Sequence, residues 1–142
     1  MSVDKILVVW SNYYQDLAQK QLDSCLYLLN QAKYDYEVET VEAGTYEIPA
    51  VIRYYQHNKP YAGYLPLSLL LKGSTDHYEF IWEHVKECFI KFAMEGVFIG
   101  NGIISAPSMK ILTERVENRE RVKEAFHALD YLIRLKTKFI KD

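Results

Sequence analysis

The sequence predicts an α/β fold, a three-layer sandwich in which a four-stranded parallel sheet lies between helices on both of its faces. The first strand-like run, Lys5–Trp10, is continuously apolar rather than alternating, which is typical of a strand covered on both sides. Strand-like and helix-like segments then alternate, and this order indicates parallel strands joined by helical crossovers. Because no linker is long enough to divide the 142 residues, we expect one domain over residues 1–142.

Local periodicity and the turn residues that bound it define each element. The predicted strands are Lys5–Trp10, Tyr36–Val41, Ala62–Leu71 and Val97–Ile104. The predicted helices are Leu17–Ala32, Ile48–His57, Tyr78–Glu95, Met109–Val116 and Arg119–Lys138. Pro66 lacks a backbone donor, so we expect a bulge or a late start in the third strand. We expect Gly96 to end the third helix, and Gly100 and Gly102 to mark a close approach of two backbones.

Composition excludes several classes of partner. The chain has 17 Lys and Arg against 19 Asp and Glu, a net charge of −2, without the dense basic face that non-specific nucleic-acid binding needs. No apolar run reaches eighteen residues, and the N-terminus has no signal-peptide pattern. Cys25 and Cys88 are far apart on apolar helix stripes, as expected of reduced core residues. We therefore predict a cytoplasmic protein that binds neither nucleic acid nor membranes.

The loops that follow the strands carry the candidate ligand-binding residues, because ligands bind at the carboxyl ends of parallel strands. These loops are Ser11–Asp16, Ala43–Glu47, Lys72–His77 and Ser105–Ser108. They contribute two aromatic groups, Tyr13 with Tyr14 and Tyr46, and the carboxylate of Glu47. Aromatic faces and a carboxylate would suit a flat polar ring that carries a polyol. The alternative is that Tyr13 and Tyr46 are ordinary loop aromatics.

The loop after the third strand has the composition of an anion site. Gly73 allows a tight turn, and each of residues 74–76 (Ser-Thr-Asp) can cap the helix that follows. The free backbone N–H groups at that helix start would attract a phosphate, and His77 in the first turn can transfer a proton near neutral pH. The alternative is a simple helix cap with His77 at the surface.

Other functional classes lack their defining residues. A phosphoacceptor receiver domain needs an Asp at the end of the third strand, where this chain has Lys72 and Gly73. The phosphate loop of nucleoside triphosphatases and the serine nucleophile elbow are both absent. His77 and His84 lie seven residues apart on a helix, which does not favour a shared ion, so no metal site is predicted.

Together the loops resemble the 6,7-dimethyl-8-ribityllumazine synthase family. Ala43–Pro49 (Ala-Gly-Thr-Tyr-Glu-Ile-Pro) is similar to the family's Pro-Gly-Ala-Phe-Glu-Ile-Pro, and Lys72–Tyr78 (Lys-Gly-Ser-Thr-Asp-His-Tyr) to its Arg-Gly-Ala-Thr-Thr-His-Tyr. Leu7–Tyr14 is similar to a strand that ends in Ser-Arg-Phe-Asn, and Thr113–Arg115 stands in the place of Ile-Glu-Arg. The likeness covers nearly the whole chain and implies a flavodoxin-like fold.

The resemblance implies a transferase of riboflavin biosynthesis. Family members condense 5-amino-6-ribitylaminouracil with 3,4-dihydroxy-2-butanone 4-phosphate, releasing phosphate and water, without a metal or organic cofactor. His77 matches the proposed general acid/base, and Arg115 matches an arginine that reaches the phosphate from a neighbouring subunit. Residues implied to bind the pyrimidine or its ribityl chain are Tyr13, Tyr46, Glu47, Ile48, Leu70, Leu71 and Asn101. Residues implied to bind phosphate are Ser74, Thr75, Arg115 and Arg119.

The chain departs from the family pattern at two points. Val116–Lys123 replaces the segment Gly-Thr-Lys-Ala-Gly-Asn-Lys-Gly, which leaves the second phosphate cation open, with Arg119 as the candidate. Asn101 stands in the place of an aromatic residue, which implies a more polar wall of the ring pocket than in the family. Family members form pentamers, and some build sixty-subunit shells. Because the Lys-Ala-Gly-Asn turn associated with shells is missing, the resemblance implies a pentamer or decamer with active sites between subunits.

Two other functions use the same residues. One is a non-catalytic oligomer that binds flavin or lumazine in the aromatic pocket. The other is an interaction protein whose tyrosines serve subunit contacts. The presence of His77, Glu47 and Arg115 together favours catalysis, because a binding protein needs no group for proton transfer.

Overall fold

The computed structural model describes residues 5–73 and 77–140 and contains a four-stranded, all-parallel sheet with strand order β2-β1-β3-β4. Its strands are β1 (Lys5–Ser11), β2 (Asp35–Val41), β3 (Gly63–Leu71) and β4 (Gly102–Ala106). Its helices are α1 (Gln15–Gln31), α2 (Ile48–Asn58), α3 (His77–Met94), α4 (Met109–Glu117) and α5 (Glu120–Phe139). A short 3₁₀ helix, Thr45–Glu47, precedes α2. The predicted fold class is confirmed.

Two apolar cores lie on opposite faces of the sheet. The first core packs α1, α4 and α5 against one face, and the second packs α2 and α3 against the other. Because successive side chains of a strand point to opposite faces, Ile6 and Val8 of β1 enter the first core while Leu7 and Val9 enter the second. All four are at most 1% exposed, which explains why this run is continuously apolar.

Pro66 is associated with a break in the neighbouring strand rather than in its own. β3 runs through Pro66 without a bulge, so that expectation was wrong. Tyr64 donates its backbone N–H to Phe98 O at 3.0 Å, on the β4 side. Two residues later Pro66 presents its ring nitrogen to that side and cannot donate. Regular pairing resumes only beyond it, and β4 begins at Gly102 rather than at the predicted Val97.

The glycines after α3 have the roles expected of them. Gly96 has φ of 78° and donates to Ala93 O at 3.1 Å, while Val97 donates to Phe92 O at 2.9 Å, the two hydrogen bonds of a Schellman C-cap. A side chain at Gly102 would place its Cβ only 2.8 Å from Pro66 O, so β3 and β4 approach closely there. Within residues 5–73 and 77–140, none of the helices has the length and apolar character needed to cross a membrane.

Candidate functional site

The carboxyl edge of the sheet has a step, and a cavity lies beside it. β1 pairs with β3 as far as Trp10 and Leu67, whereas β3 continues four residues further, to Leu71, about 13 Å of extended chain. The projecting end of β3, the loops after β1 and β2 and the second turn of α3 border a cavity of about 210 Å³. It is lined by Tyr13, Tyr14, Gly44, Thr45, Ile81 and residues 68–71. Three of the predicted ring-binding residues, Tyr13, Leu70 and Leu71, therefore lie at one cavity.

Two tyrosines form the wall on the β1 side. The rings of Tyr13 and Tyr14 meet edge to face with their centroids 5.0 Å apart, and Tyr13 is 72% exposed. Burial, and to a smaller extent Tyr13, raises the pKa of the Tyr14 hydroxyl, so this group stays protonated at neutral pH and can donate a hydrogen bond. Ser11 donates its hydroxyl to Ala43 O at 2.9 Å and holds the loops after β1 and β2 together.

The loop after β2 is organised by Glu47 and by two buried hydroxyls. Glu47 Oε1 accepts the backbone N–H of Gly44 at 3.0 Å, which caps the 3₁₀ helix. Thr45 Oγ1 lies 2.5 Å from Ser68 Oγ, and this hydrogen bond joins the loop to β3. Ile48, which the resemblance implies as a binding residue, is completely buried in the second core rather than lining the cavity.

Tyr46 is held by α3 rather than lining the cavity itself. Its ring is stacked on that of His84, with centroids 3.9 Å apart and planes at 17°, and on Phe80 at 5.8 Å and 9°. Phe80 and His84 lie one helical turn apart, so they share a face of α3. His84 Nε2 also lies 3.1 Å from the backbone oxygen of Tyr46. The Tyr46 ring therefore has a fixed orientation and keeps 38% of its surface exposed.

His77 is the first residue of α3 and is exposed, one turn before Ile81 at the cavity. On the β3 side of this loop, Lys72 donates its backbone N–H to Ala106 O at 2.9 Å, and its ammonium lies 3.5 Å from Glu79. The predicted phosphate residues Ser74 and Thr75 lie outside the described residues. Among the described residues, no group of three or more His, Cys, Asp or Glu side chains could hold a metal ion.

The remaining candidates lie at three different places in the chain. Arg115 on α4 is half-buried, and its Nη1 donates to the Ser105 carbonyl near the carboxyl end of β4. Arg119 borders a separate cavity of about 390 Å³ between α1 and the α4–α5 junction. Asn101 precedes β4 at the amino end of that strand and borders a groove along α3. Within one chain, the structure does not bring Arg119 or Asn101 to the cavity that contains Tyr13.

Several residues of this region were not predicted from the sequence to belong to the site. Ile81 and His84 could have been found from helical periodicity, because they fall on successive turns of α3 that face the strand ends. Thr45 and Ser68 carry no such signal, since Ser68 lies inside an apolar run and is 23 residues from Thr45.

Comparison with known proteins identifies the family. The model of the 6,7-dimethyl-8-ribityllumazine synthase family matches residues 4–137, a range that contains every candidate residue above. The chain belongs to this family. It is 28% identical over 119 residues to the 6,7-dimethyl-8-ribityllumazine synthase of Novosphingobium aromaticivorans, covering 84% of this chain and 85% of that protein.

Two further relatives cover still more of the chain. The 6,7-dimethyl-8-ribityllumazine synthase of Agrobacterium fabrum is 28% identical over 134 residues, 90% of each protein. That of Erythrobacter litoralis is 26% identical over 137 residues, 95% of this chain and 97% of the relative. The matches therefore extend over the whole sheet and its flanking helices, not over a single shared segment.

Proposed function

We propose that the protein is a transferase that condenses 5-amino-6-ribitylaminouracil with 3,4-dihydroxy-2-butanone 4-phosphate to form 6,7-dimethyl-8-ribityllumazine, the step that its family name describes. The main support for this proposal is the composition of the cavity. In a chain whose family match covers residues 4–137, Tyr13, Leu70 and Leu71 line one cavity at the carboxyl edge of the parallel sheet. We include in the proposal a single domain over residues 1–142, without a metal or organic cofactor, in the cytoplasm.

The pyrimidine would bind between the loops after β1 and β2. Tyr13 offers an exposed aromatic face on which a flat ring can stack, and Leu70 and Leu71 offer apolar contacts. Tyr46 would contribute the edge of its stacked ring. One oxygen of Glu47 caps the 3₁₀ helix, and the second oxygen would accept hydrogen bonds from the ribityl hydroxyls.

The phosphate substrate would bind beside the start of α3. The backbone N–H groups at this helix start favour an anion, and the resemblance assigns Ser74 and Thr75 to phosphate binding. Arg115 uses one N–H on Ser105 O, so the other donors of its guanidinium remain to bind phosphate oxygens, in its own or in a neighbouring subunit.

The chemistry then needs only alignment and proton transfer. The ring amine attacks the ketone to form an imine with loss of water, phosphate leaves, and closure of the second ring releases another water. His77, beside the phosphate turn, would accept and return protons during these steps. Holding the two substrates in a reactive orientation would supply much of the acceleration.

We also propose that the protein is a pentamer or decamer with its active sites between subunits. α3 supports an association, because Ile90 and Met94 are 55% and 83% exposed on it. Ile90 also lines a largely apolar groove of about 620 Å³ together with Trp82 and Phe89. Exposed apolar surface of this kind is typical of a subunit interface. Light scattering should give five or ten chains, and a monomer or a sixty-subunit mass would contradict the proposal.

The decisive experiment is turnover with both substrates. Purified protein mixed with the pyrimidine and the phosphate ketone should form the lumazine, which is followed by its absorbance, and release one phosphate for each lumazine. Each substrate alone is the control. Tight binding of a lumazine or flavin without turnover would instead support the non-catalytic binder.

A further inference from the structure

The floor of the cavity contains a pair of buried hydroxyls. Thr45 Oγ1 and Ser68 Oγ lie 2.5 Å apart, and the two residues are 4% and 1% exposed. Both residues line the cavity, Thr45 from the loop after β2 and Ser68 from the projecting end of β3. In the family segment that Ala43–Pro49 resembles, alanine stands where this chain has Thr45, so the hydroxyl is not part of that pattern.

Among the described residues, the pair has one hydroxyl proton without an acceptor. Each hydroxyl carries one proton, and their mutual hydrogen bond uses one of the two. Neither hydroxyl has a second hydrogen-bond partner within residues 5–73 and 77–140. A buried donor without an acceptor costs free energy, so the second proton needs an acceptor in the cavity, either water or a ligand atom.

The rest of the lining restricts the ligand that can supply this acceptor. No charged side chain belongs to the described lining, which is aromatic on the Tyr13 side and aliphatic along Leu69 to Leu71. Such a surface disfavours an isolated charge, so it excludes phosphate from the cavity floor. It suits a neutral planar ring whose edge carries a carbonyl oxygen or a ring nitrogen with a lone pair. The cavity volume of about 210 Å³ fits a single ring better than a drug-sized ligand.

We infer that the Thr45–Ser68 hydroxyl pair is a binding subsite that donates one hydrogen bond to an acceptor atom on the edge of a neutral heterocycle. The inference rests on the proposed function in taking this heterocycle to be the pyrimidine substrate. The uncharged lining around the pair favours the neutral ring over the charged phosphate substrate, which binds elsewhere.

The test removes both hydroxyls while keeping the shape of the site. The Thr45→Val/Ser68→Ala double variant should raise KM for the pyrimidine about 5- to 20-fold, the loss expected for one hydrogen bond to a buried partner. KM for the phosphate ketone and kcat should stay within twofold of the wild type. The single variant Thr45→Ser keeps both hydroxyls and should therefore have the wild-type KM for the pyrimidine.

Tyr64→Phe is the matched control. Tyr64 is as buried as the pair, at 0% exposure, and lies at the amino end of β3. Its hydroxyl donates to Gln56 Oε1 at 2.7 Å and does not line the cavity, so this variant should leave every KM within twofold. If the double variant does not fold, Thr45→Val and Ser68→Ala are assayed singly, and at least one should raise KM for the pyrimidine threefold or more.

A binding measurement separates this inference from the proposed function. The probe is an unreactive pyrimidine in which a nitro group replaces the reacting amine, titrated by calorimetry. Wild-type turnover with an unchanged KM in the double variant would overturn the subsite alone. Binding of the probe that weakens in the double variant, without any turnover in the wild type, would uphold the subsite and overturn the proposed function. Absence of both binding and turnover would overturn both.

Discussion

Gln21 on α1 is the polar group whose substitution should affect the fold most sharply. It is completely buried beneath β3 and β4, and its Nε2 donates to Gly102 O at 2.8 Å and to Ser68 O at 3.3 Å. The amide thus joins the two strands just beyond the break beside Pro66. Its own Oε1 has no hydrogen-bond partner among the described residues. A Gln21→Glu substitution would place a carboxyl group, which is a donor only when protonated, against two carbonyl oxygens.

The loss of folding stability in Gln21→Glu should grow as the pH rises. Burial and the two facing carbonyl oxygens would raise the pKa of the introduced carboxyl in the folded state above its unfolded value of about 4.3. The folded protein then holds a proton that the unfolded chain has released, so stability falls as pH rises above about 4.3. If the carboxyl group stays protonated in the folded protein at pH 7, this proton linkage lowers the free energy of unfolding by about 3.7 kcal/mol. The second lost hydrogen bond adds about 0.5–1.5 kcal/mol at any pH.

Urea unfolding at pH 5 and pH 7, at one protein concentration, measures both parts. The deficit of Gln21→Glu relative to the wild type should grow by about 2.6 kcal/mol between these pH values. Gln15→Glu makes the same charge change at an exposed position on the same helix and should show no such growth. A deficit below about 1 kcal/mol at pH 7, or one that does not change with pH, would show that water reaches Gln21 and refute the reasoning.

Three further predictions concern the candidate site and the rim of the sheet. His77→Ala should lower kcat about 10²- to 10⁴-fold without abolishing turnover; complete loss in a correctly assembled variant would contradict general acid/base catalysis. Arg115→Ala should mainly raise KM for the phosphate substrate, and an unchanged KM would remove its assigned role. Hydrogen bonds from Tyr61 and Lys5 lower the pKa of Glu37 from 4.5 to about 2, so the wild type should lose stability as pH falls from about 4.5 towards 2. Glu37→Gln should lose less over that range in acid unfolding curves, whereas parallel curves would exclude this pKa shift.

The elements of the fold could be predicted because their signals are local. The apolar stripe of α1 and the turn residues around it set its limits to within two residues of the Gln15–Gln31 observed. Gly96 could be assigned as a C-cap because a left-handed residue after a helix is usually glycine. The start of β4 could not be predicted in this way. It follows from a missing donor at Pro66 on the adjacent strand, and therefore from the strand order.

The candidate site was predictable in outline only. Parallel strands bring their carboxyl ends to one edge, so the positions of Tyr13 and Leu71 at a common cavity follow from the strand order. The stack of Tyr46 on His84 joins residues 38 positions apart, and no local pattern specifies it. The catalytic role of His77 and the phosphate role of Arg115 stay predictions.

The sequence by itself determined the fold class, the family and the loops that carry polar and aromatic residues, because periodicity, turn chemistry and shared segments are properties of neighbouring residues. Only the tertiary structure decided which of these residues share a cavity. It separated Asn101 and Arg119 from Tyr13, buried Ile48 in a core and paired Thr45 with Ser68. Those outcomes depend on strand register and helix packing, which bring together residues that are far apart in the chain.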